Sequence, residues 1–559
     1  MFLGNGGNWD VHTLYYDGHG CKVRKKNEKI FFIFPPAEIL RAVLYRVVNM
    51  KCFTFTTFML LHAAAFAQPT CPAVKYDWTR PLPGNESGIV VDKQGNFLFN
   101  HYHDFQIGVS KLTPDLSPAW THPSVGQIHA NAVAVNAEDN VFIGGAFQES
   151  VDFDPGPGVD EKTSRFIYDA FLTKLHPDGS YIWTRTFPDY AALFNVHGIA
   201  VDTNGNIVLV GGPGDIALAK LTSDGEHLWY RQIGSTGYDD GLDVAVDVAD
   251  NIYLFGRFRF TVDFDPGPGV DIHQANDPPG FTKSFVSKFY PDGGYAWTRD
   301  YQDDSPIGAM AVSPDGSIVL AGGFAGTVDF DPTDGADFRT SDSSLNPNFG
   351  DFYITKLNTD GSYAWTYVLG NGRPEQNDIY VSVDPRNGDI VFAGEIYDRV
   401  NLDHTLGELN YACGDVPPTG CSLLVRLSPE GLVRWFDSTP NVRGNSPMTV
   451  DSDGTVYYIR SQSYEVDLDQ TCAEDWRIPP NSGGYNPILT KYSCRNLTGD
   501  IDDDGDVDLL DLAAFQNCFE GSDRDTCASG CDAFDLHPDL ALDLLDFSIV
   551  SPSVTGPRM

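Results

Sequence analysis

Short apolar runs alternate with polar turns along most of residues 71–494. The unit KLHPDGSYIW (174–183) recurs at 220–229, 288–297 and 356–365, and weaker copies lie at 111–120 and 426–435. In each unit an apolar run, a turn containing Asp and Gly, and a second run with Trp follow one another. This order is the sequence form of a β-hairpin.

A second hairpin pattern precedes each of these units. It begins at residues 90, 134, 200, 245, 311, 382 and 449, with AVDTNGNIVLV (200–210) as a clear copy. Two hairpins give four antiparallel strands, and seven such units at this spacing are typical of propeller blades. We therefore predict an all-β, seven-bladed β-propeller over residues 71–494.

The seventh unit lacks its last strand, because the pattern stops after LTKYSC (489–494). The segment AVKYDWTR (73–80) supplies a strand with Trp at the other end of the chain. Pairing this strand into the last blade would remove both open sheet edges. Trp78 would then be the seventh blade tryptophan, and a disulfide between Cys71 and Cys494 would lock the seam.

Several units carry an acidic insert between their second and third strands. It reads VDFDPGPGVD at 151–160 and 262–271, and VDFDPTDGAD at 328–337. Repeated Asp-x-Asp beside glycine raises calcium binding as one interpretation. The interpretation favoured here is a strand ending in a tight turn whose amides the acids bond, because one loop supplies too few oxygens for calcium.

These repeats resemble the secreted bacterial seven-bladed propeller repeat proteins (SBBP-like). The resemblance spans residues 71–494 and implies a propeller fold, but it specifies no activity.

A calcium-loop pattern occupies the C-terminal segment, where GDIDDDGDVDLLDLAAF (499–515) fits the EF-hand grid. Gly505 falls where the loop needs its sharp turn, and an apolar, helix-like run follows. The predicted calcium ligands of this first loop are Asp500, Asp502, Asp504, Asp506, Asp508 and Asp511.

The grid recurs 35 residues later in a weaker form. Leu540 replaces the turn glycine and His537 replaces a ligand, and both changes weaken the calcium geometry. The predicted ligands of this second loop are Asp535, Asp539, Asp543 and Asp546.

Two tandem loop–helix units without a preceding helix resemble a type I dockerin. The resemblance implies a small α-helical domain over residues 495–559, folding coupled to Ca²⁺, and a cohesin-like or cell-surface partner. In that family, two positions of each loop help to recognise the cohesin partner, and polar pairs are common there. In this chain they are Leu509 and Leu510 in the first loop, and Leu544 and Leu545 in the second. This departure weakens the expectation of a cohesin partner specifically.

The acidic charge balance and a signal-peptide pattern predict an exported protein. Asp and Glu outnumber Lys and Arg by 77 to 37, for a formal charge of −40, which argues against nucleic acid as a partner. The segment MKCFTFTTFMLLHAAAFAQ (50–68) has the form of a signal peptide (50–67) cleaved after Ala67, too short to span a membrane. Residues 1–49 are interpreted as a mis-annotated or disordered extension, with a long basic leader as the alternative.

Eight of ten cysteines follow Ala67, an even number that suits an exported chain with disulfides. Cys413 and Cys421 are the expected local pair.

The predicted function is a secreted, non-catalytic propeller for binding or display, tethered by the calcium module. The dockerin resemblance implies a polysaccharide-degradation context, so carbohydrate is an expected ligand. Two alternatives remain: a polysaccharide hydrolase or lyase, which requires acids or histidines of several blades to converge on the axis, and a quinoprotein-like dehydrogenase. No residue is singled out as catalytic.

Overall fold

The computed structural model describes three short strands within residues 2–25 and most of residues 74–494. The gaps in the second range lie at 83–84, 104–105, 123–126, 213, 276–281, 302–306, 342–349, 371–378, 397–398, 402–409, 413–420, 441, 444–446, 463–465, 468–475 and 478–485. The chain divides into two compact units, one of residues 1–68 with 497–559 and one of residues 69–496. The predicted signal peptide and both predicted calcium loops lie outside the described residues.

The first unit contributes one described sheet. Its strands pair antiparallel in the order β1 (Phe2–Leu3), β2 (Asp10–Tyr16), β3 (Cys21–Lys25). These strands lie within residues 1–49, which the sequence indicates to be a mis-annotated or disordered extension.

The second unit is a seven-bladed β-propeller, as predicted. Its first strand, β4 (Val74–Pro81), belongs to the last blade. Blade 1 has β5 (Asn85–Val91), β6 (Phe97–His103), β7 (Gln106–Leu112) and β8 (Pro118–His122). Blade 2 has β9 (Gln127–Val135), β10 (Val141–Gln148), β13 (Asp169–Leu175) and β14 (Tyr181–Thr186), with an inserted hairpin of β11 (Ser150–Asp152) and β12 (Glu161–Thr163). Blade 3 has β15 (Val196–Val201), β16 (Ile207–Gly211), β17 (Ile216–Leu221) and β18 (His227–Ile233).

Blades 4 to 7 repeat this plan, each with an inserted hairpin. Blade 4 has β19 (Asp240–Val246), β20 (Ile252–Phe258), β23 (Lys283–Phe289) and β24 (Tyr295–Tyr301), with insert β21 (Thr261–Asp263) and β22 (Ile272–Gln274). Blade 5 has β25 (Ile307–Val312), β26 (Ile318–Phe324), β29 (Asp351–Leu357) and β30 (Tyr363–Leu369), with insert β27 (Thr327–Asp329) and β28 (Phe338–Thr340). Blade 6 has β31 (Tyr380–Val383), β32 (Ile390–Ile396), β35 (Cys421–Leu427) and β36 (Val433–Pro440), with insert β33 (Arg399–Asn401) and β34 (Asn410–Ala412). Blade 7 has β37 (Val442–Arg443), β38 (Met448–Val450), β39 (Val456–Gln462) and β42 (Asn486–Cys494), with insert β40 (Val466–Asp467) and β41 (Trp476–Arg477).

The ring closes through the first strand of the propeller. β4 pairs antiparallel with β42 as the outermost strand of blade 7, with Trp78 opposite Lys491. Inside this seam the buried hydroxyls of Thr79 and Thr490 lie 2.9 Å apart. The prediction that residues 73–80 complete the seventh blade is confirmed. The proposed disulfide at the seam stays a prediction, because Cys71 lies outside the described residues.

The core lies between the blades. In most blades the second and third strands are buried along almost their whole length, as in β26 and β35. One cluster joins Phe352 of blade 5 to Phe392 and Leu423 of blade 6. Because these strands are covered on both faces by neighbouring blades, they form continuous apolar runs rather than alternating ones.

The repeated Lys, Asp-Gly and Trp form a latch from one blade to the next. Lys220 of blade 3 donates to the Pro291 carbonyl in the Asp-Gly turn of blade 4 at 3.3 Å, and Trp229 Nε1 donates to the same carbonyl at 3.2 Å. Gly293 in that turn has φ +79°, and a Cβ there would lie 2.8 Å from the Trp229 ring. The turn therefore requires glycine for its conformation and for the close approach of the indole.

The same lysines neutralise acids that begin the turns after the first strands. Lys220 Nζ lies 2.9 Å from Asp202 Oδ2, and both side chains are almost fully buried. Burial opposes ionisation of Asp202, but hydrogen bonds from Lys220 and Asn206 outweigh it and hold its pKa below the ordinary value. In blade 6 an arginine takes this place, as Arg426 bonds Asp384 and, at 3.0 Å, Asp389.

Cys421, the first residue of β35, is buried and disulfide-bonded. Its expected partner Cys413 lies outside the described residues, so that pairing stays a prediction.

Candidate functional site

The two faces of the ring have different compositions. In each antiparallel blade the first strand begins, and the second strand ends, on the same face, here called the upper face. The latch turns lie on the opposite, lower face and repeat from blade to blade. The inserted hairpins lie on the upper face and vary from blade to blade. Because binding residues are often on variable loops, we expect the functional site on this face.

The acidic inserts on the upper face are tight turns. In blade 2, Asp152 Oδ1 accepts the amides of Asp154 at 3.1 Å and Asp160 at 2.8 Å. Asp154 Oδ1 accepts the Gly156 amide at 2.7 Å. Blades 4 and 5 repeat this bonding around Asp263 and Asp329. The turn interpretation is confirmed, and no cluster of three or more His, Cys, Asp or Glu suited to a metal occurs among the residues that the structure describes.

The first strands of five blades carry a β-bulge at the same place, close to the upper face. The extra residue is Ser87, Asn131, His197, Leu242 or Gly308 in blades 1 to 5. A bulge redirects the side chain that it carries and often lies beside a binding site. In blades 2 and 3 the redirected side chains are polar.

These strands surround a cavity of about 480 Å³ on the propeller axis. Its walls come from the first strands of blades 1 to 6 and the second strands of blades 1 and 4, and their surface is about equally polar and apolar. The polar side chains of the lining are Asn100, Asn131, His197, Asp243, Arg257 and Tyr380. This volume is within the usual range for a small-molecule site.

A chain of hydrogen bonds crosses the blades at the cavity wall. Asn100 Nδ2 donates to the Asn131 carbonyl at 3.2 Å, and Asn131 Nδ2 donates to Asn195 Oδ1 at 2.6 Å. His197 Nδ1 donates to the Gly241 carbonyl at 2.9 Å. These bonds connect blades 1 to 4 and fix the orientation of the side chains that face the ligand space.

Asp240 lies 3.2 Å from His197 Nδ1 and forms an ion pair with the imidazolium. Burial lowers the pKa of His197, but the Asp240 carboxylate outweighs burial and raises it above the ordinary value. The imidazole is therefore held as a charged, fixed donor at the cavity wall over a wider range of pH.

Asp243 is the acidic residue in the lining of the cavity. Its place, one residue after the bulge, is held by Gly88, Ala132, Gly198 and Ala309 in other blades. The side chain is exposed to the cavity, and protein crowds around it there. Desolvation by this surrounding protein raises the pKa of Asp243 to about 6, against the lowering effect of a hydrogen bond from the Val244 amide.

One buried acceptor on this wall has no donor. Asn100 is 5 % exposed, and its Oδ1 accepts no hydrogen bond from any part of the chain that the structure describes. Because the amide nitrogen is committed to the Asn131 carbonyl, Oδ1 must be the free side of the amide. A buried acceptor without a partner is costly, so this amide carries an unfavourable contribution to the stability of the wall.

An exposed aromatic rim lies next to this wall on the upper face. We define it as Phe166, Tyr168 and Phe194 of blades 2 and 3. Phe166 is 63 % exposed and packs edge-on against Phe194, with ring centroids 5.8 Å apart. Tyr168 is 40 % exposed and lies 5.9 Å from the His129 ring. Phe194 precedes Asn195, the partner of Asn131, so the rim is joined directly to the cavity wall.

None of these cavity residues was singled out in the sequence analysis. Among the described residues, the lining of the cavity holds one histidine, His197 of blade 3, and one acid, Asp243 of blade 4. The predicted calcium ligands from Asp500 to Asp546 lie outside the described residues and stay a prediction. Within the described residues there is no helix long and apolar enough to cross a membrane.

No family model matches this chain. It is 23 % identical over 272 residues to an uncharacterised WD repeat-containing protein, L264, of Acanthamoeba polyphaga mimivirus. That match covers 46 % of this chain and 17 % of the viral protein, so the chain spans only a small part of that relative.

Similar solved structures include the Dos1 propeller, with 7 % identity and a TM-score of 0.40 over 76 % of this chain and 96 % of that one. A streptogramin B lyase has 11 % identity and a TM-score of 0.38 over 75 % and 98 %. Virginiamycin B lyase of Staphylococcus aureus has 11 % identity and a TM-score of 0.35 over 75 % and 99 %. The fold assignment rests on the strand topology above.

Proposed function

We propose that this protein is a carbohydrate-binding propeller whose ligand enters the axial cavity from the upper face. The observation that carries the proposal is the axial cavity, whose wall combines polar side chains of several blades with apolar ones. A sugar has hydroxyl groups and an apolar ring face that match such a wall. Asn131, His197 and Asp243 offer further amide, imidazolium and carboxylate groups for neighbouring hydroxyls.

The aromatic rim supports a sugar over other donor-rich ligands. A pyranose ring has an apolar face that packs on an exposed aromatic side chain, and Phe166 and Tyr168 provide such surfaces beside the cavity. The formal charge of −40 opposes polyanions such as nucleic acid. A neutral or cationic glycan is therefore the best-matched class of ligand.

Replacing the rim aromatics is expected to weaken glycan binding without loss of folding. Phe166→Ala or Tyr168→Ala removes a stacking surface worth about 0.5–1.5 kcal/mol, so affinity for the bound oligosaccharide should fall about two- to tenfold. The measurement is calorimetric titration of the whole chain with a panel of neutral and cationic oligosaccharides.

Phe338→Ala is the matched control for this experiment. Phe338 is 65 % exposed, like Phe166, but it lies on the β28 hairpin of blade 5. Its replacement should leave affinity unchanged. If no oligosaccharide in the panel binds, or if Phe338→Ala weakens binding as much as Phe166→Ala does, the proposal is wrong.

A second candidate function is cleavage of a polysaccharide in the same cavity. The observation that favours it is the pKa of Asp243, which burial raises to about 6, a value suited to a general acid or base near neutral pH. Turnover of any bound glycan, abolished by Asp243→Asn, would establish the enzyme. Binding without turnover supports the binding propeller.

We further propose that the protein is exported and that residues 495–559 bind calcium and tether the propeller to a cohesin-like or cell-surface partner. The support is the sequence alone: the signal-peptide form of residues 50–67 and the EF-hand spacing of Asp500 to Asp511.

Calcium binding by the full chain should depend mainly on the first loop. The wild type is expected to bind about one equivalent of Ca²⁺ tightly, because Gly505 permits the loop turn whereas Leu540 resists it. Asp500→Ala should remove this equivalent in a calorimetric titration. Asp546→Ala in the second loop is the control and should retain it, and the opposite result would contradict our ranking of the loops.

A further inference from the structure

We propose that the ligand of the axial cavity carries a protonated amine that pairs with Asp243, so that the preferred glycan is an amino sugar with a free amino group. This inference rests on the proposed function and adds to it the chemical class of the ligand. It is argued from the position, the surroundings and the unpaired charge of one carboxylate.

The carboxylate of Asp243 has no cationic partner in the part of the chain that the structure describes. Its hydrogen bond is from the Val244 amide to Oδ1 at 2.8 Å. The side chain is exposed to the cavity, so its charge is accessible to a bound ligand, and charge-assisted hydrogen bonds are the stronger kind. Blades 1, 2, 3 and 5 have Gly or Ala at the same point of the ring.

The neighbouring blade makes room for this side chain. A Cβ at Gly198 would lie 2.6 Å from Asp243 Oδ1, so the carboxylate extends across the face of Gly198. Gly198 directly follows His197, whose imidazole lines the same cavity. The carboxylate therefore lies between blades 3 and 4 on the cavity wall, where a bound ligand can contact it.

The other charged groups on the cavity wall are occupied elsewhere. His197 of β15 is bound by Asp240 and the Gly241 carbonyl. Arg257 of β20 stands opposite Asp240 in the strand ladder. Tyr380 of β31 lines the cavity from blade 6 and carries no positive charge. The charge of Asp243 is consequently left for the ligand.

An ammonium group fits this arrangement better than a metal ion. The described residues contain no cluster of three His, Cys, Asp or Glu around Asp243, and calcium requires six or more oxygens. A single accessible carboxylate instead matches an alkylammonium group, with which it can form a charge-assisted hydrogen bond. The strongly negative protein as a whole also attracts a cationic ligand and repels an anionic one.

The test compares a tetramer of β-1,4-linked glucosamine with its fully N-acetylated counterpart by calorimetric titration of the whole chain. The wild type should bind the free amine form about tenfold to a hundredfold more tightly, as is typical of a charge-assisted hydrogen bond. Asp243→Asn should remove this preference and leave the two affinities similar.

The pH dependence gives a readout that a purely structural role of Asp243 would not produce. Because its folded pKa is raised to about 6, wild-type affinity for the amine form should fall as pH drops through about 6. The N-acetylated tetramer should show no such decline, and neither should Asp243→Asn with either ligand. Folding of the variant is checked by its unfolding midpoint, which should equal or exceed that of the wild type at neutral pH.

Equal wild-type affinity for both tetramers would overturn the amine proposal and leave carbohydrate binding intact. Retention of the preference in Asp243→Asn would also overturn it, because another group would then recognise the amine. Absence of binding to either tetramer and to every member of the neutral panel would instead remove the proposed function itself.

Discussion

A chain that begins at Leu82 should be strongly destabilised compared with one that begins at Pro69. The longer chain keeps β4, whereas the shorter one leaves blade 7 without its outermost strand. The loss comprises the strand-to-strand hydrogen bonds of β4 with β42 and the buried contact of Thr79 with Thr490. At about 1 kcal/mol for each of several such bonds, the loss is at least about 5 kcal/mol.

The chain that begins at Pro69 is the matched control, because it lacks the preceding residues and retains the closing strand. The measurement is the midpoint of urea unfolding, followed by β-sheet circular dichroism. The shorter chain should also associate, since its open β42 edge exposes unpaired amides and carbonyls. Equal midpoints for the two chains would show that β4 does not close the ring.

The second large effect is expected from Arg426→Met. This substitution leaves Asp384 and Asp389 buried without the guanidinium that lies between them. Removing one member of a buried ion pair typically costs about 3–5 kcal/mol. Arg386 and Arg434 still contact the two acids, so we expect a loss near about 3 kcal/mol at pH of about 7.

The loss should shrink on acidification. Burial opposes ionisation of Asp384, but hydrogen bonds with Arg386 and the nearby Arg426 hold its pKa below the ordinary value. This lowered pKa contributes stability above the unfolded pKa that disappears as pH falls through the folded one. Without Arg426 the acids are more easily protonated, so wild type and variant should converge towards low pH.

Arg339→Met is the control for this prediction. Arg339 pairs with Asp337 at 3.0 Å on the surface, where its side chain is 43 % exposed. Such a pair contributes about 0–1 kcal/mol, so the unfolding free energy should change little. An equal loss of unfolding free energy in both variants would show that the buried ion pairs of Arg426 stabilise the fold no more than the exposed pair of Arg339.

The fold could be predicted because each blade repeats a physical requirement. Lys, Asp-Gly and Trp recur since every blade must latch to the next, and Gly293 shows the constraint in its positive φ and its contact with Trp229. The closing strand could be predicted because the seventh unit lacks its strand with Trp, and the segment around Trp78 supplies one. The insert acids such as Asp152 followed from turn chemistry.

The axial site could not be found in the same way, because it consists of departures from the repeat. Asp243 is one acid among 77 acidic residues, and only alignment of the first strands places it where blades 1, 2, 3 and 5 have Gly or Ala. The bulges at Asn131 and His197 depend on the pairing of whole strands, which residue patterns do not specify.

The most direct test of the account is a crystal structure of the whole chain with the glucosamine tetramer. We expect the sugar in the axial cavity, with its amine at Asp243 and a ring face against Phe166 or Tyr168. Sugar bound on the lower face or on the outer strands, with the axial cavity holding only water, would contradict it.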